Sequence, residues 1–435
     1  MVDAAADDRS SAPRPSEDRF ESEARAAGLV LPRKAPSDPW AALVIVIAIV
    51  VLAAGVGEVT GWINLRSNST SSGGYQTQTC QGYPVRTEGT FSNAIDPAFA
   101  GWLEAAGTNL SAAVGGCFSV TVTPEAGDGY LSLSATSGSE FTATYATPTS
   151  EESGALDGPV AVIPLTLSAV TVVYNLPGIP SGLNLTGSVL AGIYDGSITS
   201  WDDAAIASAN PDVSLGGLPT ISPVYLSGSS VANEVLTEYL ASTSAAWNAS
   251  TGSGLSVDWP YGTSASSESA LLTAVAATPG AVGYVETFDT APAGFGIASL
   301  GDVAGTFAAP STVDVWLAAE SLANSTAVGT GNWSGFSLVG AGLPQSYPLS
   351  TLAYAGVYRD LGVAYSNSLS LGNATWLLTY LYWLTSQPAV APLPGPYAAE
   401  VVNVLNNETY DGTPIVTLDN EYGENGESGG ETGEF

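Results

Sequence analysis

The chain of 435 residues has no histidine and little positive charge. Of its nine lysines and arginines, six lie in the first 40 residues: Arg9, Arg14, Arg19, Arg25, Arg33 and Lys34. Arg66 follows, and only Arg86 and Arg359 lie beyond it. With no histidine, no lysine after Lys34, and Cys80 and Cys117 as the sole cysteines, the common general bases and nucleophiles are missing, so an enzyme is not expected. The adjacent acids Asp202–Asp203 and Glu151–Glu152 read as solvated caps, because nothing sets two carboxyls across a cleft as glycoside hydrolysis needs. "DGSITSWDD" spaces oxygens but lacks the twelfth-position glutamate of a calcium loop, and neither zinc-type spacing nor a GxxxxGK[ST] loop occurs. No metal and no cofactor are therefore expected. The 41 acids against nine cations give a net charge of −32. A body nearly free of cations repels nucleic acid and anionic lipid headgroups, which removes nucleic acid as a partner. In acid, protonation would leave this body nearly neutral rather than strongly positive, which suits an acidic habitat.

What is present begins with one long apolar run. "AALVIVIAIVVLAAGVG", residues 41–57, carries no charge. At about 1.5 Å per residue it spans roughly 25 Å, and a few flanking residues bring it to the ~30 Å of a hydrocarbon core. It reads as one transmembrane helix within residues 40–63, with Trp40 and Trp62 as interfacial anchors. A cleaved signal peptide is the alternative, but some 40 mixed-charge residues precede the run where a short basic start is needed. Arg25, Arg33 and Lys34 before the helix, against Arg66 after it, set the N-terminus inside and the body outside. The expected location is thus the cell membrane, single-pass, with an extracellular body. Eight Asn-x-Ser/Thr sequons start at Asn68, Asn109, Asn184, Asn248, Asn324, Asn332, Asn373 and Asn407, all on the outer side, as candidate glycosylation sites. Cys80 and Cys117 lie there too, and would close a disulfide or remain two buried thiols.

Composition divides the rest. Residues 1–39 lack apolar periodicity and read as a disordered cytoplasmic tail; residues 64–83 form a polar, Gly/Ser-type flexible stalk. Residues 417–435, rich in Glu and Gly, read as an acidic disordered tail. Between these ends strand-like and helical runs alternate, which predicts an α/β body. Strands are predicted at 117–124, 158–178, 281–288 and 349–360 from alternation and Val, Tyr and Thr content. Helices are predicted at 96–110, 231–243, 267–280 and 373–386. No repeat of 20–50 residues is visible, which argues against a solenoid or propeller.

The order of five segments resembles a known family. "EGTFSNAIDPAFAGWLEAAG" (88–107), "VAVIPLTLSAVTVVYNLPGI" (160–179), "LAGIYDGSITSWDDAAIASANPDV" (190–213), "VDWPYGTSASSESALLTAVAATPGAVGYVETF" (257–288) and "SYPLSTLAYAGVYRD" (346–360) are similar, over about 270 residues, to the phosphate-binding proteins that feed phosphate ABC importers. The resemblance implies a two-lobed periplasmic-binding-protein fold of type II, with one lobe at 84–168 plus 347–416 and the other at 169–346. It implies capture of phosphate or another small oxyanion between the lobes and delivery to an importer permease. Trp201 with Asp202, and Trp259 with Pro260, read as lobe packing and turn formation rather than ligand contacts.

In the family, phosphate is held by loop and helix-start donors, by an arginine, and by an aspartate that accepts the ligand's proton. Carried over, Thr90 and Phe91 match the first-loop pair. The second loop is "EAGDGY", with Gly127 or Asp128 where a serine is expected, and Tyr145 stands where the aspartate should be. In the third loop, "LSGSSVAN", Ser230 can match the serine, with Ser229 beside it, Leu226 falls at the arginine, and Val231 and Ala232 replace a glycine and a threonine. The arginine supplies a charge-assisted bidentate pair, and its loss beside Asp128 weakens any phosphate site. Three readings stay open: a receptor retuned to another solute through Thr90, Tyr145, Ser229 and Ser230; a surface structural or adhesion glycoprotein that keeps the fold; and a shifted loop register that restores phosphate binding.

Overall fold

A computed structural model describes residues 85–95, 97–113, 116, 118–125, 129–133, 139–287, 294–365 and 369–415. The apolar run at 41–57, the stalk, both cysteines, Asn68, Gly127, Asp128 and the acidic tail lie outside the described residues. Among the described residues no helix is long and apolar enough to cross a membrane.

The described residues start with three strands of one sheet. β1 (Val85–Ser92) lies between β2 (Phe118–Glu125) and β3 (Phe141–Thr144), parallel to both. Helix α1 (Ala98–Ala113) crosses from β1 to β2, with Phe99, Leu103, Ala106 and Leu110 on its buried face at helical spacing. Helix α2 (Ser150–Ala155) opens on a capping box between Thr149 and Glu152, so the acid predicted as a solvated cap is one.

β4 (Val160–Tyr174) organises the molecule. It is buried almost throughout, as its unbroken apolar run requires, and it changes partner midway. Residues 160–169 pair antiparallel with β11 (Ser350–Tyr358), whereas 169–174 pair antiparallel with β8 (Ala281–Thr287). Pro164 has no N–H for a central ladder, and the register shifts there, leaving Leu165 unpaired in a bulge. On the far side β8 continues, in parallel, to β6 (Ser222–Leu226) and β7 (Thr263–Ala265), and β5 (Leu183–Leu185), β9 (Gly296–Gly301) and β10 (Phe307–Ala308) branch from β4. The result is two lobes, one around β1–β3 and one around β6–β8, joined by β4 and β11.

Helices cover both lobes. α3 (Gly187–Tyr194) packs on α5 (Val231–Thr243); α4 (Ala204–Ala209) and α6 (Ala245–Ser250) flank them. α7 (Glu268–Ala277) lies on β8 and β6, and Gly283 of β8 has no Cβ because Leu271 of α7 fills that space. α8 (Thr312–Ser321), α9 (Thr326–Thr330) and α10 (Leu361–Tyr365) lead to α11 (Leu371–Thr385), which packs on α1, β1 and β4, and to α12 (Gly395–Asn406), which also packs on β4. The two-residue strands β12 (Thr409–Tyr410) and β13 (Thr413–Pro414) close the described chain.

The tryptophans do what packing predicts. Trp201 is fully buried and donates its indole N–H to the Gly280 carbonyl at 3.2 Å. Trp259 sits among Tyr194, Tyr225, Trp247 and Tyr284, with its centroid 5.3 Å from that of Tyr225. Arg359 follows β11 with its side chain 44% exposed, in line with a strand-end position, and it has a partner that sequence did not supply: Nη1 lies 3.5 Å from Oε1 of Glu408, whose side chain is 0% exposed. Burial outweighs Arg359 there and raises the Glu408 carboxyl to about 8.

Candidate functional site

The first loop leaves the end of β1 and turns immediately. The Asn93 N–H donates to the Glu125 carbonyl at 2.8 Å, and Ser92 accepts from Ala94 at its hydroxyl and from Ile95 at its carbonyl. Thr90, 1% exposed, has a hydroxyl with no hydrogen-bond partner among the described residues. Gly129 approaches it at positive φ (76°): a Cβ there would stand 3.4 Å from Thr90 Oγ1 and would collide with Thr142 Oγ1. Phe91 is buried in the core, so only its backbone is available to a ligand.

The third loop runs from β6 into α5. Leu226, at the position where the resemblance places an arginine, is buried, and its N–H donates to Tyr284 Oη at 3.1 Å. Asn233 of α5 ties the loop down: its side-chain nitrogen donates to the carbonyls of Leu226 (3.2 Å), Gly228 (3.0 Å) and Leu255 (3.1 Å), while its oxygen accepts from the Tyr284 hydroxyl. Gly228 takes φ 90°, open to glycine at little cost. Ser229 is exposed; Ser230 is the N-cap of α5 and accepts from the Ala232 N–H at 3.1 Å.

These two loops meet. The Val231 N–H, first in α5, donates to the Ala94 carbonyl at 2.9 Å. A helix start is a ready anion site because its first N–H groups lack helical partners. Here one of them is taken by a carbonyl from the opposite lobe and another by the Ser230 side chain.

Tyr145, just past β3, is half-buried with its ring 5.9 Å from that of Phe99. It borders a cavity of about 230 Å³ between the lobes. β11 contributes Thr351, Leu352 and Tyr354; α5 contributes Val231, Glu234, Val235 and Glu238; and the segment 333–339 closes the space with Trp333 and Phe336. Burial raises the Glu238 carboxyl, and a hydrogen bond with the Ser337 side chain offsets part of that. Among the described residues no lysine or arginine lines the cavity.

Of the residues named from sequence, Tyr145 borders the cavity, Thr90 is buried near the end of β1, Ser230 caps α5 beside the Val231–Ala94 contact, and Ser229 is exposed. Sequence reading gave no role to Asn233, to the Ala94 carbonyl, or to Glu234 and Glu238. The Asn/Glu pair lies inside the stretch "SSVANEV" and signals only that α5 begins with polar residues. Among the described residues no group of three or more His, Cys, Asp or Glu side chains is placed to hold a metal ion. Of the sequons, Asn109, Asn248, Asn324, Asn332 and Asn407 are exposed and Asn373 is half-buried. Asn184 is half-buried, and its side-chain nitrogen already donates to the Ala209 carbonyl at 2.9 Å.

Comparison with known proteins now places this geometry. Residues 84–388 match the family model of the PBP superfamily domain, and the chain belongs to that family. The chain is 35% identical over 172 residues to a phosphate-binding protein PstS of Xylella fastidiosa, and the match covers 39% of this chain and 44% of that protein. It is 32% identical over 156 residues to a phosphate-binding protein PstS of Methanocaldococcus jannaschii, covering 34% of this chain and 40% of that one. The chain therefore spans less than half the length of these curated relatives. Among solved structures, a phosphate-binding protein from Stenotrophomonas maltophilia superposes with a TM-score of 0.51 at 19% identity, over 77% of this chain and 99% of that one, a likeness of fold.

Proposed function

We propose that this chain is the solute-capturing receptor of an ABC importer, of the phosphate-receptor type, which closes its two lobes on a small solute. The hydrogen bond from Val231 to Ala94 carries this reading: the two elements that would enclose a solute already touch across the cleft. Opening the lobes would free the Val231 N–H and expose the Thr90 hydroxyl, which has no partner among the described residues. Kinship with phosphate-binding proteins makes phosphate, or another small oxyanion, the first solute class to test. The apolar run at 41–57 anchors the receptor, its N-terminus cytoplasmic, and the stalk at 64–83 presents the body outside the membrane. A division of the lobes near residues 168–169 is supported by the change of partner there, where β4 passes from β11 to β8, and its counterpart at 346–347 would lie just before β11.

The buried Leu226 and the carboxylates of the cavity weigh against a dianion at neutral pH. Calorimetric titration of the full chain with phosphate at pH 7 and pH 3 tests the reading. Saturable heat, stronger in acid where the carboxyls are protonated, is the expected result. Absence of heat at both pH values removes phosphate and leaves the receptor with another solute or the fold in a surface role.

A further inference from the structure

The sequons differ in what the folded chain does with them. An N-linked oligosaccharide is bulky and solvated, so it needs an exposed asparagine whose amide nitrogen is not committed elsewhere. The hydroxyl two residues on must also come beside that amide, since the Asn-x-Ser/Thr pattern pairs the two side chains. Asn109, Asn248 and Asn373 lie inside α1, α6 and α11, where residues i and i+2 do not face each other. Asn184 in β5 is half-buried, with its amide nitrogen donated to the Ala209 carbonyl. At Asn407 both groups are spent: the amide nitrogen donates to the Asn403 carbonyl at 2.8 Å, and the Thr409 hydroxyl to Asp360 Oδ2 at 2.8 Å.

Asn324 and Asn332 remain among the described sequons, both exposed and outside helices and strands. At Asn332 the geometry goes further. Its Oδ1 accepts from the backbone N–H of Ser334 at 3.3 Å, an Asx turn that draws the third sequon residue onto the asparagine side chain. That bond uses the oxygen and leaves Nδ2 to carry a substituent. Ser334 is exposed as well, while Trp333 between them is buried and fixes the turn against Phe336, Tyr354 and Tyr397. Trp333, Gly335 and Phe336 line the cavity, so a sugar on Asn332 stands next to its wall.

We propose that Asn332 is an N-glycosylation site of the folded body, modified from a polyprenyl-phosphate-linked oligosaccharide on the outer face of the membrane. Nδ2 attacks C1 of the sugar, and the N–C1 bond forms as the C1–O bond to phosphate breaks. The lipid phosphate leaves with the electron pair, and the amide nitrogen gives up one proton. Ser334 supplies the hydroxyl that positions the amide. The inference rests on the part of the receptor reading that sets the body outside the membrane.

Production of the full chain in a secretory host that transfers N-glycans, with mass spectrometry of its sequon peptides, tests it. An occupied Asn332, with Asn184, Asn373 and Asn407 bare, is expected. Asn332→Gln and Ser334→Ala should each remove one glycan increment from the intact mass, and Ser334→Ala does so with the asparagine and its backbone bond still in place. Asn184, Asn373 and Asn407 occupied as fully as Asn332, or an increment that survives Ser334→Ala, overturns the inference. A bare Asn332 beside other occupied sequons also overturns it and leaves the outside placement standing. All eight sequons bare sinks both, while phosphate titration still judges the receptor reading by itself.

Discussion

The two loops that meet across the cleft are held in opposite ways. In the third loop nearly every polar group has a local partner: Asn233 is bonded to three carbonyls and to Tyr284, and Ser230 caps α5. In the first loop the Thr90 hydroxyl is buried with no partner among the described residues. A buried polar group left unmade costs about 1–3 kcal/mol, so the first loop retains a demand for hydrogen bonding that the third has already met. Spare capacity for an oxyanion therefore lies with β1 rather than with the start of α5. Helix starts are not interchangeable: one whose N–H groups are already satisfied cannot serve as an anion site until something moves.

Asn233→Ala should break this contrast most strongly. It removes three donated bonds and leaves the Tyr284 hydroxyl, which still accepts from the Leu226 N–H, without an acceptor for its own proton, and a loss of about 3 kcal/mol is expected from that many buried polar groups. Denaturant unfolding measures it. A loss under about 1 kcal/mol would show that the third loop is held by its backbone alone.

Next comes pH, which acts on the lobe that carries the first loop. Glu140, whose N–H donates to the Glu88 carbonyl of β1, is raised to about 8 by burial first and by the Glu88 carboxylate second. Glu408 is also raised to about 8. The folded state keeps protons on both groups that the unfolded chain releases from about pH 4.5 upward, so their contribution is complete below about 4.5 and declines as pH rises to 8. Asp360 works in the opposite sense: burial raises it, but hydrogen bonds from Val363, Thr409, Gly412 and Asp411 outweigh that and hold it below its usual value. Its contribution is lost only in stronger acid. Thermal melting should therefore be highest near pH 4–5 and lower at pH 8, by on the order of 2–3 kcal/mol of stability. A melting temperature that rises from pH 4 to pH 8 would contradict the buried, protonated state of both acids and the acidic-habitat reading.

Thr90→Val sharpens the comparison from the other side. Replacing a buried hydroxyl that has no partner by a methyl of similar shape should raise stability by about 1 kcal/mol while weakening any oxyanion the first loop takes. Higher stability with unchanged phosphate affinity would remove Thr90 from the site.

Much of the scaffold was legible because its signals are local. The predicted helix 231–243 is Val231–Thr243, and the run 158–178 contains Val160–Tyr174, since an unbroken apolar run bounded by Pro and Gly has few other ways to fold. The loops around the cleft were less legible. Segment order could put Thr90, Tyr145 and Ser230 in three loops, but the occupant of the α5 start is a backbone carbonyl some 137 positions away, and a carbonyl has no sequence signature. Likewise Glu234 and Glu238 look like an ordinary solvated helix face until Tyr354 of β11 and Trp333 are brought opposite them.

Ser230 gives the smallest and most discriminating test. Its side chain satisfies the Ala232 N–H, and removing an N-cap serine to alanine costs about 1 kcal/mol, to glycine only a few tenths. Ser230→Ala also leaves the Ala232 N–H in need of an acceptor, one residue from the Val231 bond to Ala94. If the cap only shapes the helix, stability should fall by that amount and solute binding should not move. If the helix start becomes an anion site when the lobes open, the freed donor should instead strengthen phosphate binding in the variant, a gain that loss of a structural cap alone would not produce.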